Sequence, residues 1–141
     1  MHDTLFGLDA PLWLEEGVAQ YLPQIMLQAY TFTLDREMAQ RHERLWGRMG
    51  LQSFWSGRSF SIPDERSELS YHLAELLVRN LTADHPRRFR SFLADARAAD
   101  AGDAAARSRL RRPLEHIARQ FLGEGAWAPA PEDWVLIDLV E

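Results

Sequence analysis

Apolar residues recur along this chain at the three-and-four spacing of helices and almost nowhere at the alternation of strands. Pro11 is well placed as the first residue of a helix running to about Tyr30, with a kink at Pro23. At about 100° per residue, Leu14, Val18, Leu22, Ile25, Met26 and Ala29 share one face of it. A second helix is predicted over Asp35 to Trp46, with Met38, Leu45 and Trp46 inward and Arg36, Glu37, Arg41, Glu43 and Arg44 outward. Gly47 and Gly50 would end it. Leu51 to Ser61 is aromatic and turn-rich, and reads as a short helical turn followed by a loop.

Ser61-Ile62-Pro63-Asp64 has the form of a helix-start box, with proline in the first turn. The helix it predicts, to about Leu81, carries one stripe of Leu69, Leu73, Leu76 and Leu77 and a second of Tyr71, Ala74 and Val78. A helix apolar on two sides belongs at the centre of a fold. Asp84 then caps a helix with Phe89, Phe92, Leu93 and Ala96 inward, and a short helix is expected over Asp103 to Leu110. Pro113 opens a last one, with Leu114, Ile117, Ala118, Phe121 and Leu122 inward and Gly123 as its stop. Residues 124–141 read as an irregular tail, in which Val135 to Val140 has strand character but no hairpin partner. The expected architecture is all-α: one domain over 1–141, an irregular bundle of five or six helices, with a short C-terminal strand as the one exception.

Composition narrows the functions. A formal charge of -5 leaves no electrostatic footprint for nucleic acid or an anionic membrane. With no cysteine there is no disulfide, thiolate nucleophile or Cys-type zinc site. No apolar run approaches the ~20 residues of a membrane span, and the N-terminus lacks a basic region followed by an apolar one, which leaves the compartment open.

The chemistry concentrates in Pro11 to Tyr21 (PLWLEEGVAQY), where Glu15 and Glu16 stand at the start of an apolar helix directly before Gly17. Carboxylates are seldom buried unpaired, and a metal ion is one partner that explains such a placement. The segment resembles the second signature of the gluzincin zinc metallopeptidases, in which a Trp-Leu-x-Glu-Gly-x-Ala-x-Tyr pattern follows an HExxH helix. The resemblance implies that Glu16 is the third zinc ligand, with HExxH supplying two histidines and a general-base glutamate. Ser70-Tyr71-His72-Leu73-Ala74, Phe92-Leu93 and Phe121-Leu122-Gly123 extend the likeness to the helical C-terminal half of small domains of the peptidase MA type. No HExxH occurs in these 141 residues. His2 stands where the second histidine of a motif lacking its start would fall, so the chain is expected to begin inside the catalytic helix. It would then keep two metal ligands, His2 and Glu16, where catalytic zinc needs three plus water. Zinc is implied for the complete domain, with a peptide or protein as substrate, and the chain alone is expected to be inactive.

Periodicity and motif nominate different carboxylates. Glu15 falls within the apolar arc, near Val18, Ala19 and Leu22, and Glu16 falls at its edge. The plain alternative is that both favour the positive end of the helix, a gain of ~0.3–1 kcal/mol. Tyr71 and His72 are the candidates for stabilising an oxyanion. Against that, Tyr71 shares the core stripe of Ala74 and Val78, and His72, Glu75 and Arg79 form a polar stripe expected to be solvated and salt-bridged. His42, His85 and His116 show no ligand spacing and are assigned to the surface. Trp13 and Trp46 are expected in packing roles, whereas Trp55 and Trp134 are left open. The run Arg107, Arg109, Arg111, Arg112 reads as a solvated face. The competing class is a non-catalytic all-α interaction or scaffold domain, or a degenerate peptidase relative. Helices without their front half would expose apolar surface and invite homodimerisation.

Overall fold

Seven α-helices follow one another in the computed structural model, which describes residues 9–27, 35–84 and 86–134, with backbone alone over 22–27. They are α1 (Leu12–Leu27), α2 (Arg36–Met49), α3 (Gln52–Ser56), α4 (Glu65–Asp84), α5 (Pro86–Asp95), α6 (Asp103–Ala105) and α7 (Leu114–Leu122). The chain is all-α, with no strand among the described residues. The count exceeds five or six because Gln52–Ser56 closes as a helix of its own before a 3₁₀ turn over Arg58–Ser61. The strand expected over Val135 to Val140 lies outside the described residues. No helix among the described residues is long and apolar enough to cross a membrane.

α4 occupies the centre, as its two apolar stripes predict: Leu69, Leu73, Ala74, Leu76, Leu77, Val78 and Leu81 are all buried. It starts at Glu65, later than the Ser61 to Asp64 box suggests. Ile62 precedes Pro63 and is held extended (φ -88, ψ 114), which breaks helical geometry there. Asp64 caps instead, its Oδ1 accepting the Arg66 amide at 2.8 Å.

α1 lies against α4 more extensively than any other pair of elements meets. Gly17 makes that approach attainable: a Cβ there would come within 2.6 Å of both the Ala74 carbonyl oxygen and Val78 Cγ2. α2 extends three residues past Trp46, straight through the exposed Gly47, and ends at Gly50 (φ 75), whose amide donates to the Trp46 carbonyl at 2.7 Å. Asp35 caps its start by accepting the Met38 amide at 2.8 Å.

The tryptophans form the spine of the core. Trp13 sits among Phe54, Trp55 and Phe92, with ring centroids 6.3, 5.7 and 6.3 Å away. Each of the five indoles donates its N–H: Trp13 to the Ala101 carbonyl, Trp46 to His42, Trp55 to the Trp127 carbonyl, Trp127 to the Gly123 carbonyl and Trp134 to Gln52. Buried indoles with satisfied N–H groups are packing residues, which answers the open question over Trp55. The first part of the tail is irregular but anchored. Gln52 donates to the Ala128 carbonyl (2.9 Å), and its Oε1 accepts from the Ala130 amide (2.7 Å) and the Trp134 indole (2.9 Å).

Candidate functional site

The residues of the α1 motif divide by what they touch. Pro11, Trp13, Leu14 and Val18 are buried, and Gly17 is consumed by the contact with α4. Leu12, Ala19 and Gln20 face outward. Glu16 lies between these two sets, half-buried, with Trp13 three residues before it and Ala19 three after. Glu15 is half-buried as well, so burial does not separate the two carboxylates. Tyr21 lies under the Arg79 guanidinium, 4.7 Å from ring centroid to Cζ. A border position for Glu16 is what a metal ligand at the edge of a core requires, and equally what a half-solvated helix-start carboxylate adopts.

Tyr71 packs edge-on against Phe60, with centroids 5.1 Å apart. It holds the core-stripe position its register predicts. His72 points elsewhere. It meets His42 of α2, with His42 Nε2 2.7 Å from His72 Nδ1 and the rings stacked at 5.0 Å between centroids. α1 crosses α4 at Ala74 and Val78, and Ala74 lies about 200° round the helix from His72. The described contacts of His72 therefore belong to the α2 side of α4, away from the Glu16 helix.

This imidazole pair is invisible to a reading of ligand spacing. His42, which that spacing assigns to the surface, is 1% exposed. Its register carries the signal: His42 stands three and four residues before the inward Leu45 and Trp46, so it shares their face. The Trp46 indole donates to His42 Nδ1 at 3.0 Å. An indole N–H only donates, so that nitrogen carries no proton, and neutral His42 holds its proton on Nε2 and donates it to His72 Nδ1. Burial first, then the neighbouring His72 and Arg41, push His42 down from 6.5 to about 3. His72 is lowered too, mainly by burial, against the opposing pull of Glu75, Asp35 and Glu68. Both rings are therefore neutral at neutral pH.

Carboxylates surround the pair. Glu75, expected on a solvated stripe, is 8% exposed and accepts from Arg79 at 2.9 Å. The expected salt bridge forms, but at the edge of the core. Arg41 reaches from α2 to Glu68 (2.9 Å) and Glu65 (3.1 Å), and its hydrogen bonds hold the Glu68 carboxyl below the usual range. Among the described residues no group of three His, Cys, Asp or Glu side chains could hold a metal ion. His2 and His85 lie outside the described residues, and His116 is exposed as expected.

No family model, curated protein or solved structure matches this chain.

A cleft of about 510 Å³ opens between the end of α2, α3 and the start of α4, lined by Leu45, Arg48, Met49 and Ser53 among others. Another of about 470 Å³ lies between α2 and the tail, lined in part by Glu43, Trp46, Glu124 and Trp127. Neither is lined by Glu16, Tyr71 or His72.

Proposed function

We propose that this chain is the helical C-terminal part of a gluzincin-like zinc peptidase domain, and that Glu16 derives from its third metal ligand. The division of labour on α1 carries this reading. Trp13 and Gly17 have full packing explanations, in the indole bond to Ala101 and the close approach to α4. Glu16 has no such packing explanation: it is half-buried and makes no ion pair among the described residues. The outward face of α1, with Leu12 exposed, is where the rest of such a domain would dock, and in its absence a second copy is the expected occupant.

The described residues do not fit a complete zinc site, since Glu16 has no two further donors beside it. No catalytic step is therefore assigned to them. Hydrolysis of peptide bonds in a peptide or protein substrate belongs, on this reading, to a domain that joins an HExxH helix to this part. The chain itself should turn over no peptide.

Calorimetric titration with zinc alone tests the ligand assignment. Weak binding that Glu16→Ala removes and Glu15→Ala leaves is the expected result. Tight binding that survives Glu16→Ala, or no response to either substitution, overturns it.

A further inference from the structure

α5 carries its charge against the preference of a helix. Arg87 and Arg88 stand in its first turn with no acidic residue there, so two cations meet the positive end of the helix dipole. Arg90 follows one turn on from Arg87, and all three are exposed. None of the three makes an ion pair among the described residues. Residues 86–112 hold eight arginines against three aspartates, a formal balance of +5, which leaves -10 for the rest of a chain whose total is -5. The three aspartates are engaged elsewhere. Asp95 takes Arg109, Asp103 takes Arg107 and the Leu114 amide, and Asp100 caps the Gly102 and Ala104 amides. Asp84 shares a small cleft with Arg87 and Arg88 at the start of the helix but makes no ion pair with them among the described residues, so one carboxylate at most stands against the three cations.

We propose that the outward face of α5, built on Arg87, Arg88 and Arg90, docks an acidic segment of another protein. Guanidinium forks pair with carboxylates through two parallel hydrogen bonds, which gives such a face geometric selectivity as well as charge. The positive region is short, and the acidic remainder of the chain repels any long polyanion that runs more than about 10 Å beyond it. The exposed face continues through Ser91 and Ala94, and both phenylalanines of the helix, Phe89 and Phe92, are buried. It therefore offers no aromatic platform for a nucleic-acid base and no apolar anchor for a membrane.

The test is fluorescence anisotropy of a labelled oligo-glutamate peptide of about five residues, short enough to stay over the basic face, against the full chain at low salt. Saturable binding is expected, lost near 0.5 M salt and weakened at least about tenfold in R87E/R88E/R90E. A control with the same charge change on α2, R36E/R44E/R48E, is expected to stay within about twofold of the parent protein. Circular dichroism confirms that both variants keep their helices, as exposed substitutions should. Absence of binding, or equal weakening by the control, overturns the proposal. So does an oligothymidylate of the same charge, or a phosphatidylserine vesicle, that binds as tightly as the peptide.

Discussion

His42 and His72 join α2 to the central helix through a single hydrogen bond, Nε2 to Nδ1 at 2.7 Å, between two neutral rings. Burial of the His42 ring, more than the bond itself, makes stability depend on pH in a window of its own. In the unfolded chain His42 titrates near 6.5, and in the folded chain near 3. Above pH 6.5 neither state holds the proton, and the full contribution of the pair is present. As pH falls below 6.5 the unfolded chain takes up the proton first, so stability is lost progressively toward pH 3. Each unit of separation corresponds to about 1.4 kcal/mol, so the loss reaches a large part of an ordinary stability margin. The carboxylates held low by arginines, Glu68 and Asp64, begin to lose their contribution only as pH falls into the ordinary carboxylate range of about 4, so they do not confuse the reading between pH 6.5 and 5. Urea midpoints are expected to fall across that interval in the parent protein, and a flat profile would show that the pair is not buried as described.

Two glycines in helices should respond in opposite directions. At Gly17 the added methyl of Gly17→Ala meets backbone and Val78 at 2.6 Å, so α1 must lift from α4. The overpacking cost of about 1–3 kcal/mol outweighs a propensity gain of about 1 kcal/mol. Gly47 sits inside α2 with nothing within 4 Å of the place an added methyl would take, and Gly47→Ala should stabilise by about 0.5–1 kcal/mol. Thermal melts of the two variants, one below and one above the parent, check the pair of predictions together.

The helices are legible in the sequence because burial on α2, α5 and α7 follows a single three-and-four pattern, and on α4 two such stripes, that local periodicity reports. Contacts between helices lie beyond the reach of periodicity. His42 looks polar and solitary until His72, thirty residues on, is placed against it. Gln52 likewise reads as an ordinary turn residue, though it anchors Ala128, Ala130 and Trp134 some eighty residues later. Glu16 marks the other limit. Its motif nominates it, but the partners that would make it a ligand are not among the described residues.

Gln52 should act as the clasp of the tail. Its amide satisfies a carbonyl, a backbone amide and an indole at once, so Gln52→Leu leaves three polar groups to find water. We expect a global loss of about 1–3 kcal/mol, from the polar groups it leaves unpaired. Faster hydrogen exchange at the Ala130 amide and new proteolytic cleavage between residues 124 and 134 should accompany it. Exchange at Ala130 equal to that of the parent would assign the anchoring to Trp127 and Trp55 instead.

The α1 motif can be taken apart by stability alone. If Trp13 serves the core, Trp13→Phe removes the indole donor from the buried Ala101 carbonyl and should cost about 1–3 kcal/mol, even though the new ring fills much of the same space. If Glu16 is retained for something other than packing, Glu16→Gln should change stability by less than about 0.5 kcal/mol, since it is half-buried and makes no ion pair among the described residues. Denaturant titrations of the two variants give the contrast directly. A Glu16→Gln protein as destabilised as Trp13→Phe would make the carboxylate a structural group, and the metal-ligand ancestry would lose the observation it rests on.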